Sequence, residues 1–408
     1  MSPSELLRAA LRALRAHKLR SFLTLLGVII GVTTIVAVVG VISGLDTYVK
    51  ERVIVLAPDV FILRKIGMPQ STEDFLKQIR RPNMSWREYE RISSGILPHT
   101  AQVAVGVGKS MQVKSGSRHL DAINVLGVST NFASLFKLEF EGGRFFTEAE
   151  DHAAANVAVI GADTKDELFP RVDPIGRTLQ LGGLSFKVVG LMPRQGRGVG
   201  FNQDVMIYVP AQVYRKNFMV ADEMLNFYIQ ARGGVAGLDQ SVDEVRALLR
   251  AMRHTAYRDP DPFGVLTQEA LQELWKQISS AAFVLMLLVS SVSLGVGGIV
   301  IMNIMLVSVV ERTQEIGIRM ALGARKRDIR WQFLLEAAIL SLCGGLLGVL
   351  AGAIIAWMVR VVAGFPAQIT PGIVLSSVVV ATLVGVLAGL LPAIRAANLP
   401  LIDALRAE

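Results

Sequence analysis

Residues 106–110, GVGKS, end in the Gly-Lys-Ser of a phosphate-cradling loop. Such a loop requires a glycine five positions before the glycine of the Gly-Lys pair, with a strand before it and a helix after, so that backbone N–H groups can wrap a phosphate. Val103 occupies that position and no strand-to-helix pattern frames the run, so it reads as a hairpin or bend. His17, His99, His119, His152 and His254 show no metal-ligand spacing among themselves or with Cys343, the single cysteine. One cysteine per chain also excludes an internal disulfide framework. A Ser-His-Asp set has no nucleophile-elbow motif behind it. The expectation is a chain that is not an enzyme, with no catalytic residue, metal site or cofactor of its own.

The chemistry that the sequence does concentrate is electrostatic. Residues 311–332, ERTQEIGIRMALGARKRDIRWQ, hold Arg312, Arg319, Arg325, Lys326, Arg327 and Arg330 between two long apolar runs. A short loop this basic is expected on the cytoplasmic side of a membrane. Its first half reads as a helix: Glu315 and Arg319 stand at i,i+4 with the acid first, and Ile316, Met320 and Leu322 line an apolar side. Gly323 offers the helix stop. The residues alone leave two readings open, a loop that only sets topology and a helix offered to a partner.

The elements that must hold this loop are membrane spans. Apolar residues make up 52% of the 408-residue chain, and the mean hydropathy is +0.47, too apolar for an ordinary soluble protein. The net charge of +8 is gathered near the N-terminus and in 312–330, a positive-inside pattern rather than a nucleic-acid face. Residues 1–21, with Arg8, Arg12, Arg15, Lys18 and Arg20 against Glu5, read as a cytoplasmic amphipathic helix on the inner membrane face. Residues 22–44 carry no charge and read as an uncleaved first span, because the run exceeds a signal-peptide core of about 7–15 residues. Gly27, Gly31, Gly40 and Gly44 are spaced to admit another helix closely and to seed a dimer seam. Further spans are expected at 280–310, 333–359 and 373–391, with an outer loop at 360–372 and a tail at 392–408. Both termini and the basic loop then lie inside. Asn303 is expected to hydrogen-bond between helices. Glu336, near the inner end of the third span, is expected to reach the interface or pair with Arg327 or Arg330. Gly344, Gly348 and Gly352 with Gly385 and Gly389 read as a seam between the third and fourth spans.

Between the first two spans, hydropathy falls over 45–279, which reads as a folded, water-exposed domain. Ser85 with Glu88 forms a capping-box pattern at a helix start. Separate strands are expected at 103–107 and 110–113, with others at 122–127, 157–160 and 205–209, and a hairpin turning on Gly182-Gly183. Helices are expected at 238–252 and 268–279. This mixture predicts an α+β domain with an inserted second lobe at about 130–225.

The run MNIMLVSVVERTQEIGIRMALGARKRDI (302–329) closely resembles the signature of the MacB-like, or FtsX-like, permeases of ABC transporters. The segments 125–146, 157–192 and 205–213 resemble that family's extracytoplasmic domain in pattern and order, and PAIRAANLPLIDALRAE (392–408) resembles its closing motif. The resemblance implies an α-helical membrane protein with four transmembrane helices and a large two-lobed α+β extracytoplasmic domain between the first and second. It implies that Glu311, Arg312, Glu315, Ile316, Gly317, Arg319 and Gly323 couple the chain to an ATP-binding cassette subunit, which would hold the ATP and magnesium. It further implies a multi-pass protein of the bacterial inner membrane, in contact with lipid, acting as a homodimer that drives efflux by mechanotransmission. Gly27, Gly31, Gly40, Gly44 and Asn303 then stand as helix-packing or dimer contacts. A periplasmic adaptor and an outer-membrane duct are expected where export crosses two membranes. The rival expectations are an FtsX-like regulator of a periplasmic hydrolase or sensor, and a lipoprotein-release permease.

Overall fold

The computed structural model describes residues 18–49, 56–194, 203–220, 223–362 and 367–400. The expected amphipathic helix lies mostly outside these residues, as do parts of the 360–372 loop and of the 392–408 tail. The strands are β1 (Val60–Arg64), β2 (Thr100–Ser115), β3 (Arg118–Val128), β4 (Gly142–Gly143), β5 (Val157–Ile160), β6 (Thr178–Leu181), β7 (Leu184–Leu191), β8 (Met206–Pro210), β9 (Asn226–Ala231) and β10 (Gly264–Thr267). The helices are α1 (Lys18–Tyr48), α2 (Thr72–Ile79), α3 (Trp86–Ser93), α4 (Phe132–Leu135), α5 (Glu148–His152), α6 (Ala162–Leu168), α7 (Ala211–Asn217), α8 (Leu238–Met252), α9 (Gln268–Glu311), α10 (Thr313–Ala321), α11 (Lys326–Val362) and α12 (Pro371–Ala397). The described residues up to Val49 and from Trp275 onward form one compact unit, and those between form another.

In the strand-rich unit, one sheet runs in the order β10-β1-β9-β2-β3-β8-β5-β7-β4, and β6 pairs with both β2 and β7. The pairings β2-β3-β8-β5-β7-β6 therefore return to β2 and close on themselves, which leaves no free edge among those strands. Val113, Val125, Leu179, Phe186, Val188 and Ile207 are buried in this closed portion. The open portion, β10-β1-β9-β2, is covered on both faces. Phe61, Leu63, Val103, Val105, Phe227 and Ile229 belong to one core with Trp86, Ile92, Val245 and Leu249 of α3 and α8. Val60, Ala104 and Tyr228, displaced by one residue along the same strands, pack in another with Tyr208 of β8, Phe132 and Phe146. Two-residue periodicity with both faces buried explains why these strands read as nearly unbroken apolar runs.

Three sequence expectations change here. The strands expected at 103–107 and 110–113 are one strand, β2, and GVGKS lies extended in its middle rather than at a bend. Gly106 through Ser110 pair in register with Val128 through Asn124, and Lys109 Nζ donates to the carbonyl of Phe218. The closed portion also draws in β3 and the far half of β2, so the second lobe takes residues upstream of 130. The hairpin on Gly182-Gly183 is present, both residues having positive φ (53° and 86°), as a two-residue turn with matching twist demands.

The helical unit contains α1, α9, α11 and α12, each long and apolar enough to cross a membrane. Their contacts are made by glycine. A Cβ on Gly27 would lie 2.8 Å from Gly297 Cα, and one on Gly297 would lie 2.9 Å from the Gly27 carbonyl carbon. A Cβ on Gly348 would meet Val32 Cβ at 2.7 Å, and one on Gly352 would meet Val36 Cβ at 2.8 Å. Thr33 Oγ1 donates to the Gly348 carbonyl at 3.1 Å across the same seam. Gly385 sits against Ser341, and a Cβ on Gly389 would lie 2.6 Å from Ala337 Cβ. The glycines of the third span are thus divided: Gly348 and Gly352 face the first span, and Gly345 meets Ala381 of the fourth. The helix expected to end at 279 is continuous with the second span in α9.

A buried ion pair fastens α3 in the strand-rich unit. Arg253 Nε donates to Glu88 Oε1 at 2.6 Å, with side chains 10% and 8% exposed. Glu88 also accepts from the Ser85 N–H at 2.7 Å and completes the expected capping box. Burial pushes the Glu88 carboxyl up, but the Arg253 and Ser85 hydrogen bonds outweigh it and leave it below its ordinary value. A carboxylate depressed in the folded state contributes stability above its unfolded pKa and loses it as pH falls through the folded one. Replacing Arg253 by Met should cost about 3–5 kcal/mol at neutral pH by stranding the carboxylate. That deficit should shrink on acidification, when Glu88 protonates in the variant. Denaturant titrations at pH 7 and pH 4 measure both effects.

Candidate partner-coupling site

Helix α9 stops at Arg312, whose φ of −107° and ψ of 18° leave the helical region. Thr313 Oγ1 satisfies the loose end by donating to the carbonyls of Val309 and Val310 at 3.1 and 2.8 Å. The chain then turns into α10. Its C-terminus closes with two crossed hydrogen bonds, Ala324 N–H to Arg319 O at 3.0 Å and Gly323 N–H to Met320 O at 3.1 Å. This is the Schellman arrangement, and it needs the positive φ that Gly323 adopts, 97°. Asp328 opens α11 by accepting the Arg325 N–H at 3.0 Å.

Side chains then seat α10 on the ends of the long helices. Ile316 is 2% exposed and shares a core with Val309, Ile329, Phe333 and Ala393, with Met320 and Ala324 packed against it. Gly317 is buried beside Ile316. Arg319 bonds Glu315 on its own helix and reaches Gln332 Oε1 of α11 at 2.8 Å. Arg312 extends from the break to Glu336, at 3.3 and 3.4 Å from its two carboxylate oxygens. Lys326 Nζ donates to Asn398 Oδ1 just beyond α12.

Most of the residues singled out in 311–323 therefore fall in one small region, but two assignments change. Leu322 does not join Ile316 and Met320 on the inward side; it lies past the last helical turn and is 83% exposed. Ile318, not singled out by the sequence, is 48% exposed four residues before it. The outward face is thus Gln314, Ile318 and Leu322, bordered by exposed Arg325, Lys326 and Arg327. Glu336 pairs with Arg312 rather than with Arg327 or Arg330, which stay exposed. Spacing from Ile316 marked the inward stripe; the outward pair follows only once the seat of the helix is known. Gly27 and Gly31 lie against Gly297 and Leu294 of the same chain, and Gly40 lies against Gln368 and Ile369, so these three have intrachain neighbours. Gly44 is buried, and Asn303 is exposed. Among the described residues, no group of three or more His, Cys, Asp or Glu side chains is placed to hold a metal.

Against known proteins, the MacB-like periplasmic core domain matches residues 21–248, and the FtsX-like permease C-terminal domain matches residues 287–401. Similarity extends over the whole chain to the uncharacterized ABC transporter permease YknZ of Bacillus subtilis, 31% identical over 411 residues and covering 100% of both proteins. The chain belongs to the MacB/FtsX-like family of ABC transporter permeases. It is also 31% identical over 415 residues to the macrolide export ATP-binding/permease protein MacB of Bdellovibrio bacteriovorus, covering 99% of this chain and 62% of that protein. The crystallised periplasmic region of MacB from Actinobacillus actinomycetemcomitans overlaps 55% of this chain and 96% of its own length, with 14% identity and a TM-score of 0.46.

Within this permease, inward and outward faces of α10 should respond oppositely to substitution. Ile318→Asp and Leu322→Asp change exposed positions and should leave stability within about 0.5 kcal/mol. Ile316→Ala empties a filled site and should cost about 2–5 kcal/mol. Hydrogen exchange of the α10 amides separates the two cases: protection should persist in the first pair and collapse in the third.

Proposed function

We propose that the chain is the membrane subunit of a MacB-like ABC transporter, coupled to a separate ATP-binding cassette subunit through α10. The observation that carries this reading is the two-sidedness of that helix. Its inner face is locked to α9 and α11 by Ile316, Met320, Arg319 and the Arg312–Glu336 pair, so force applied to it is passed to the long helices. Its outer face presents Ile318 and Leu322 beside a basic border, an apolar anchor with a charged rim. Engagement of that face by an ATPase carrying ATP and magnesium would tilt the long helices and move the strand-rich unit, which is mechanotransmission rather than passage through the spans. Export is the output favoured by the match to the MacB-like periplasmic core over 21–248.

The positive-inside pattern of the basic loop supports a multi-pass protein of the bacterial inner membrane with α10 and both termini in the cytoplasm and residues 367–370 outside. A homodimer would give two ATPases two equivalent docking sites. A periplasmic adaptor and an outer-membrane duct complete the pathway where two membranes are crossed.

Two measurements test the proposal. In a Cys343→Ser background, cysteine at Gln368 should react with an impermeant thiol reagent in intact cells, and cysteine at Arg327 only after permeabilisation. With the partner ATPase reconstituted, Ile318→Asp with Leu322→Asp should abolish stimulation of hydrolysis while the permease stays folded. Stimulation that survives both substitutions would falsify the coupling role of this face.

A further inference from the structure

A charged side chain drawn out of water is costly unless an opposite charge or hydrogen bonds meet it. In the strand-rich unit Arg253 is buried against Glu88 and meets that demand. Arg64 does not. It ends β1 on the half-buried face of the open portion of the sheet. Its Nε is shielded from solvent and has no hydrogen-bond partner among the described residues. The bond its side chain does make, from Nη2 to the Gly67 carbonyl, is 3.5 Å long and weak. Among the described residues no carboxylate pairs with it. Burial pulls the guanidinium below its ordinary pKa, and the nearby Tyr228 phenol opposes that.

The sheet register gathers further donors around it. Leu63 stands opposite Phe227 of β9, which sets Arg64 across from Asn226. Asn226 in turn faces Gly106 of β2, and Arg64 faces Gly264 of β10. The row Gly264, Arg64, Asn226, Gly106 thus carries two polar side chains between two glycines. Tyr228, two residues along on the same face, leans over that row: a Cβ on Gly106 would lie 2.9 Å from Tyr228 Cε2 and 3.5 Å from its hydroxyl. Asn226 and Tyr228 are half-buried, and among the described residues neither side chain has a hydrogen-bond partner. Burial pushes the Tyr228 phenol up to about 12, so it keeps its proton at neutral pH. The surroundings are apolar. Phe136 meets Tyr228 edge-on at 5.1 Å between ring centroids, and half-buried Ile62 and Leu126 pack into the same core.

We propose that Arg64, Asn226 and Tyr228 form a binding site for a small organic carboxylate with an apolar body. A guanidinium can engage both oxygens of a carboxylate at once. The Asn226 amide and the Tyr228 hydroxyl add donors to the same group, and a carboxylate, which only accepts, uses them all. Phe136, Ile62 and Leu126 offer apolar surface to the rest of the molecule. A neutral ligand leaves the guanidinium unpaired, and a bare inorganic anion leaves that apolar surface unused. The site lies wholly within the strand-rich unit and does not depend on the coupling role of α10.

The test uses the full-length protein in lipid nanodiscs, with phenylacetate as the probe, phenylacetamide as its uncharged counterpart and empty nanodiscs as the baseline. Calorimetric titration should show binding of the acid and not of the amide. Arg64→Met should weaken that binding about tenfold or more, the loss expected for a charge-assisted pair. The same substitution should leave hydrogen exchange in β1 and β9 no faster, because it removes a buried charge that has no partner. Asn226→Asp sets a carboxylate beside Arg64 from within the chain. Exchange at 60–64 and 226–231 should then slow, and phenylacetate binding should be lost. Equal binding of acid and amide, absence of phenylacetate binding, or binding that survives both substitutions would overturn the site. Faster exchange in Arg64→Met with no slowing in Asn226→Asp would make Arg64 a structural residue and overturn it as well. A polypeptide retained by the unsubstituted chain and lost from Arg64→Met, with phenylacetate unbound, would overturn the small ligand in favour of a protein carboxylate.

Discussion

Where Gly27 crosses Gly297, two helices meet backbone to backbone with no side chain between them. Inside a bilayer, apolar side chains gain little by leaving lipid for protein, so helices associate through close van der Waals contact and a few polar bonds. That constraint explains the rest of the helical unit. Helix α1 shows few exposed side chains because Gly27, Gly348 and Gly352 let its neighbours close around it, and the Thr33–Gly348 bond adds a polar contact. Helix α12 is drawn to α11 the same way, through Gly385 on Ser341 and Gly389 on Ala337.

The seat of α10 depends on that arrangement. Its core partners come from several elements, Val309 from α9, Phe333 from α11 and Ala393 from α12, so the pocket for Ile316 exists only when the three ends are brought together. The Arg312–Glu336 pair adds a tether of a different kind. Glu336 is 12% exposed and is the one charged residue of its helix between Arg330 and Arg360, and a carboxylate so placed is tolerated because a guanidinium reaches it. The tether starts at the residue where α9 gives way to α10, so the hinge and its restraint coincide. Under the proposed coupling, this makes α10 a short rigid arm rather than a loose loop.

The strand-rich unit solves a different problem, that of sheet edges. Helices α3 and α8 cover one face of the open portion and a core with Phe132 and Phe146 covers the other, while the pairing of β6 with the far half of β2 joins the remaining strands into a closed set. The sixteen-residue β2 makes this possible by serving the open portion with one half and the closed portion with the other. The glycines and small residues of GVGKS sit in that shared strand. A run that imitates a phosphate loop is there a length of ladder.

Much of this was legible in the sequence because it follows from local rules. Uncharged runs of spanning length, the capping box at Ser85, the turn at Gly182-Gly183, the helix at Thr313–Ala321 and its stop at Gly323 are each decided by residues a few positions apart. The family signature lay within one continuous segment for the same reason. Decisions between distant residues were not legible. That 103–115 forms one strand depends on β9, β3 and β6 being available to pair with it. That Glu336 takes Arg312, and that Leu322 faces away from Ile316, depends on how three helix ends converge. Glycine spacing announced close approach but not the partner, since a bare backbone fits any helix presented to it. Only the packed bundle decides which glycine faces which helix, and which face of α9 is left without a neighbour, because close packing is a property of shapes brought together and not of any one strand or helix.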